Sequence, residues 1–229
     1  MIHLTISSTT DSSTIMATGP AGSILMKAIE IGADLLEPAM DAAIRLDYLK
    51  DLPGFGLVIK VAQASRSVSD FILLAKMEGF AEGMGEVDRA ELAAFAAKID
   101  AEPEFGKRIG KLLLGSLHAF NDFEKTPILG KIYRSFVLGE IGFDTVRRLS
   151  NAVNLAVVDD LTALYSAHPD SKVMTEEARA DFVTSLHALR ITGLASLEDT
   201  AFAFVGRNSY IGTAVAPLGT EFIRIMQSK

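Results

Sequence analysis

The sequence predicts a mainly α protein, with a multi-helix bundle over residues 24–170 and a smaller module over 171–229 that sets one β-hairpin between two helices. Three observations lead there. Through most of 24–170, apolar residues recur every three or four positions, which places them on one face of a helix. Pro, Gly and Asp interrupt those stretches where helices start and stop. Past Gly193 the pattern turns to alternation: Ala201, Ala203 and Val205 interleave with Thr200, Phe202 and Phe204, as the two faces of a strand require.

Residues 1–23 are rich in Ser and Thr (SSTTDSST) and end in Gly19-Pro20-Ala21-Gly22, which reads as a flexible N-terminal arm; Ile2, Leu4 and Ile6 alternate and would suit a short strand. From Ile24 to about Tyr48, Ile24, Ala28, Ile31, Leu35, Met40 and Ile44 keep helical spacing, with Pro38 placed to kink or split the segment. Asp51-Leu52-Pro53-Gly54 carries turn chemistry. A weakly charged helical segment follows from Phe55 to about Gly83, with Gly83 and Gly85 expected to end it. Asp88 is the expected N-cap of the next helix, which runs to about Ile99. Pro103 suits the first turn of a helix whose stripe is Ile109, Leu112, Leu113, Leu117 and Phe120. Pro127 opens another, with Ile128, Ile132, Phe136 and Val137, closed by Gly139-Glu140-Ile141-Gly142. Asp144 is the expected N-cap of one long helix to about Ala167, ended by His168-Pro169-Asp170.

In the C-terminal module, Thr175 with Glu176 and Glu177 suits a helix start, because carboxylates there meet the positive end of the helix dipole. That helix is expected to reach about Ile191, with Gly193 as its stop. Strands are expected near 200–205 and 209–215 around the turn Gly206-Arg207-Asn208-Ser209, and Pro217 opens a closing helix with Phe222, Ile223 and Met226. Leu186, Leu189, Gly193, Leu194, Tyr210, Pro217, Leu218 and Gly219 fall in the order that resembles the end of bacterial winged-helix domains. The resemblance implies a winged-helix-like module with one small β-hairpin; it departs at Ala216, where the family has a capping Thr. The middle of the chain, with LKDLPGFG, PILGKIYRSF and GEIGFD, is similar to uncharacterised helical proteins of bacteria and mobile elements, a resemblance that implies no activity.

Composition narrows the function. The 229 residues, 49% hydrophobic and 22% charged, suffice for a large core. A net charge of −7 disfavours DNA and anionic lipid as partners, since both need a basic footprint. The absence of cysteine excludes disulfides, thiolate nucleophiles and thiolate metal sites. No run reaches the ~20 apolar residues that span a bilayer, no secretory signal is read, and a cytoplasmic protein is expected. The apolar stretches 52–64 and 71–77, studded with Lys60, Arg66 and Lys76, suit either a buried hairpin or a membrane-seeking one.

Chemistry-bearing patterns are sparse. His3, His118, His168 and His187 lack the paired spacing of a zinc site. His118 and Asp122 stand at i and i+4, which on one helix face makes an ion pair. Asp159 and Asp160 diverge around a helix and cannot address one atom. Gly139–Asp144 lacks calcium-loop ligands, Gly54-Phe55-Gly56 is not a dinucleotide fingerprint, and no nucleotide-loop, metalloprotease or kinase signature is present. No catalytic residue, cofactor or metal ligand is therefore expected. The expected function is non-enzymatic binding through protein–protein contacts, with a protein partner or a second copy of the chain. The alternatives are a membrane-active helical protein or a DNA-binding regulator. The latter would use Arg190, Arg207 and Arg224, with Arg147 and Arg148, although the helix from 176 to 190 holds three carboxylates against two arginines.

Overall fold

In the computed structural model, which describes residues 68–166, 176–197 and 213–228, eight α-helices and a two-stranded antiparallel sheet follow one another among the described residues. The chain is mainly helical with one small strand pair, as its sequence predicts. The arm over 1–23, the segments up to residue 67, the stop at 168–170, the helix start at Thr175, the strand expected at 200–205 and the turn at 206–209 lie outside the described residues.

Helices α1 (Val68–Met84) and α4 (Lys125–Val137) form the most extensive pair in the fold. Their backbones touch because glycines stand at the crossing. A methyl group on Gly83 would collide with the carbonyl of Pro127, one on Gly130 with the carbonyl of Phe80, and one on Gly79 with the Thr126 hydroxyl. Gly83 therefore lies inside α1 as a contact residue and does not help to end it. The stop falls at Gly85, whose φ of +58° suits glycine and whose N–H donates to the carbonyls of Ala81 and Glu82.

Helix α4 is buried on nearly every side, including Lys125, Thr126 and Ser135. Around it stand α2 (Arg89–Ala101), α5 (Phe143–Leu155) and α8 (Pro217–Gln227), while α3 (Pro103–Ala119) packs on α1, α2 and α5. Asp88 caps α2, accepting from the N–H of Ala90 at 2.7 Å. Pro103 occupies the first turn of α3, and Ile109, Leu113 and Leu117 form its buried stripe. Helix α4 closes in a Schellman turn: Glu140 N–H donates to Ser135 and Gly139 N–H to Phe136, with Gly139 at φ +75°. Rings of Phe80, Phe95, Phe105, Tyr133, Phe136 and Phe143 meet edge-on or tilted through the centre.

The long helix expected from Asp144 to Ala167 is two helices. Gly142, at ψ 165°, occupies the N-cap position of α5, and Asp144 sits in its first turn, 3.5 Å from Arg147. The chain turns extended at Ala156 (ψ 156°) before α6 (Val158–Ser166) begins with Asp159 and Asp160 in its first turn. Those carboxylates meet the positive end of the α6 dipole. Apolar spacing continues across the break, so periodicity alone reads through it.

Helix α7 (Glu176–Leu189) packs on α6, tightens into a 3₁₀ turn at Arg190–Thr192, and stops at Gly193 with φ +79°. Strand β1 (Ala195–Leu197) pairs antiparallel with β2 (Thr213–Val215) in the register Ala195↔Val215. Leu194 alone separates Gly193 from this strand. Gly219 of α8 lies against the carbonyl of Leu194, where a side chain would collide. Pro217 stands in the first turn of α8, and Ala216 at its N-cap position makes no side-chain cap.

Candidate protein-contact surface

Helix α7 and its 3₁₀ extension divide their apolar residues between two faces. Leu186 and Leu189 are buried in the core. Val183 and Ile191, eight positions apart and separated by His187 at the midpoint, share the opposite face by helical spacing. Ile191 is 79% exposed, the most exposed large apolar residue among those described, and Val183 and Leu197 of β1 are exposed as well. His187, Arg190, Ile191, Ala195, Ser196 and Leu197 line one open groove.

Local chemistry fixes the shape of this face. Thr192 donates its hydroxyl to the Leu189 carbonyl at 2.6 Å and accepts from Leu194 N–H at 3.2 Å, which holds the tight turn and lifts Ile191 outward. His187 Nδ1 lies 3.0 Å from the Thr213 hydroxyl, tying the helix to β2. Arg190 is exposed at the groove, and among the described residues no carboxylate pairs with it.

Of the other arginines read as a DNA-contact set, Arg207 lies outside the described residues. Arg224 is engaged on α8: its guanidinium grips Glu221 at 2.7 Å and reaches Glu140 at 3.3 Å. The hydrogen bond it donates to Glu221, aided by Glu140, raises its pKa above the ordinary value. Arg147 pairs with Asp144. Arg148 is exposed on α5. Of this set, Arg147 and Arg224 are thus paired with carboxylates, while Arg148 and Arg190 are exposed.

Four further cations serve helix ends, a use that sequence reading missed. Lys76 donates to the carbonyls of Leu117 (2.9 Å) and Phe120 at the end of α3. Lys125 donates to Asn154 at the end of α5 (3.0 Å), and Lys131 to Met226 at the end of α8 (3.2 Å). Arg134 donates to Met84 (3.2 Å) and Glu86 at the end of α1. Each satisfies carbonyls that a helix leaves unpaired and meets the negative end of its dipole. Burial of Lys76 lowers the pKa of its ammonium. The signal was present as cations inside otherwise apolar runs such as PILGKIYRSF.

His118 closes α3 while Asp122 lies beyond it and accepts from Glu124 N–H at 2.9 Å, so the two do not share a helix face as their spacing suggested. His3 and His168 lie outside the described residues, as does Gly54–Gly56. Among the described residues no three His, Asp or Glu side chains could together hold a metal ion. No described helix is long and apolar enough to cross a membrane. Of the two apolar stretches, 52–64 is outside the described residues and 71–77 belongs to α1, where Lys76 and Met77 are buried. No protein-family model, curated protein or solved structure matches this chain.

Proposed function

We propose that this chain is a non-enzymatic binding protein that acts through protein–protein contacts, with the face formed by α7, its 3₁₀ turn and β1 as the contact surface. The observation that carries the reading is Ile191, 79% exposed beside a groove that it lines with Leu197. Single exposed aliphatic residues are ordinary; several sharing a face with a groove, a histidine and an exposed arginine have the make-up of an interface core with a polar rim. The order helix, tight turn, strand, strand, helix supports a winged-helix-like module whose helix has turned from bases to protein. Sedimentation of the full chain, alone and with any protein that co-purifies with it, tests this. Assembly beyond the monomer should weaken at least about tenfold on Ile191→Asp, as expected for a central interface residue, while the melting temperature holds. A monomer that binds nothing contradicts the reading.

One observation keeps a second reading in play: Arg190 is exposed at the groove and, among the described residues, no carboxylate pairs with it, as a phosphate contact would need. Against it stand the net charge of −7 and the engagement of Arg224 and Arg147 by carboxylates. Gel retardation with duplex DNA at low salt should show no shift; a shift abolished by Arg190→Glu restores the regulator reading.

A further inference from the structure

A second groove lies on another part of the molecule, between α4, α6 and α8. Its volume is about 220 Å³, enough for one large side chain. Ile128 and Met226, both buried, form its base, and Val158, Thr162 and Tyr165 of α6 form a wall with helical spacing. Lys131 lines it too, but its ammonium is committed to the Met226 carbonyl. Exposed apolar residues adjoin its lining along the chain. Phe123 precedes Glu124, a lining residue, and Val157, 61% exposed, precedes Val158. Leu155, also exposed, follows Asn154, which the hydrogen bond from Lys125 fastens to the start of α4.

The rim of this groove is acidic. Glu124 lines it, and exposed Asp159 stands one turn before Thr162 on the same face of α6, with Asp160 beside it and Asp122 two residues before Glu124. Among the described residues no cation pairs with any of these four carboxylates. The two nearby ammonium groups, of Lys125 and Lys131, are both held on helix carbonyls. A one-side-chain pocket, an apolar shoulder and an unneutralised acidic rim have one complement: an amphipathic helix that inserts a leucine or aromatic anchor and surrounds it with Lys and Arg.

We infer that the groove between α4, α6 and α8 is a docking site for a basic amphipathic helix of a partner protein. The site is independent of the α7–β1 face, and Ile191→Asp leaves it intact.

The test uses the full chain and a fluorescent peptide of leucine and lysine, about four helical turns long, with a leucine–glutamate peptide of the same apolar pattern as counterpart. Anisotropy at physiological ionic strength should show the lysine peptide binding and the glutamate peptide not. Methyl resonances of Ile128, Val158 and Met226 should shift while that of Ile191 stays. Glu124→Gln with Asp159→Asn should weaken binding about fivefold. Asp100→Asn with Glu102→Gln, an equal charge change on exposed residues at the end of α2, should leave it unchanged, which separates a local site from the pull of an acidic protein. Thr162→Trp should fill the groove and abolish binding with the melting temperature retained. Equal weakening by both charge pairs, equal binding of both peptides, or shifts confined to Ile191 and Val183 would each overturn the proposal. So would a dimer of the chain itself that Thr162→Trp disrupts, because the occupant would then be a second copy.

Discussion

Gly83 and Gly115 are both helical glycines and have opposite consequences. At Gly83 the backbone of α4 fills the space a methyl group would need; at Gly115 in α3 nothing lies within 4 Å. Gly83→Ala should therefore force α1 from α4 and cost roughly 3 kcal/mol or more, whereas Gly115→Ala should stabilise by about 0.5–1 kcal/mol, the ordinary helix preference. Urea unfolding of the two variants measures both; equal effects would deny the close crossing. Lys76 makes a second prediction. Its ammonium serves the carbonyl of Leu117 in α3 and that of Phe120 at its C-cap inside the protein, so Lys76→Met should cost about 1–3 kcal/mol at neutral pH. Burial lowers the folded-state pKa below the ordinary 10.5, so the unfolded chain holds this proton more tightly. Below the folded pKa the penalty of burying the charge is fully present, and it is relieved as pH rises from there towards 10.5. The stability difference between the native protein and Lys76→Met should accordingly widen in favour of the native protein over that alkaline interval.

At the level of elements, cations on α4 hold the ends of three other helices: α5 through Lys125, α8 through Lys131 and α1 through Arg134. Arg134→Met should raise amide hydrogen exchange in the last turn of α1 before that of its middle, since the carbonyls of Met84 and Glu86 lose their donor; uniform change along α1 would argue that Arg134 acts otherwise. Much of this level could be read from sequence where a local rule decides. Gly139 and Gly193 stop helices with positive φ, Asp88 caps, and Pro103 and Pro217 open helices. The break at Ala156 could not, because neither proline nor glycine marks it. Its local trace is the pair Asp159 and Asp160, which sequence reading placed mid-helix and which in fact begin α6. The glycine crossing was equally hidden: Gly83 reads as a helix stop until a partner helix with Gly130 is known. The contact face followed the same logic. Leu186 and Ile191 are both strongly apolar, and it is the packing of α7 together with the turn held by Thr192 that buries one and presents the other to solvent.

Across the whole molecule, the allocation of positive charge bears most directly on function. The chain holds 22 Lys and Arg against 29 Asp and Glu. Lys76, Lys125, Lys131 and Arg134 serve helix carbonyls, and Lys107, Arg147 and Arg224 serve carboxylates. Cations so engaged are drawn away from any phosphate backbone, while among the described residues the exposed large apolar side chains, Ile72 of α1 apart, belong to the α7–β1 face (Val183, Ile191, Leu197) or neighbour the lining of the α4–α6–α8 groove (Phe123, Leu155, Val157). Both features support contact with protein surfaces. The most direct measurement places a photo-crosslinking residue at Ile191 of the full chain in its host, with the same probe at exposed Glu91 on α2 as comparison. Contact through the α7–β1 face predicts a defined adduct heavier than the monomer from position 191 and none from position 91. No adduct from 191, or the same adducts from both positions, would contradict it.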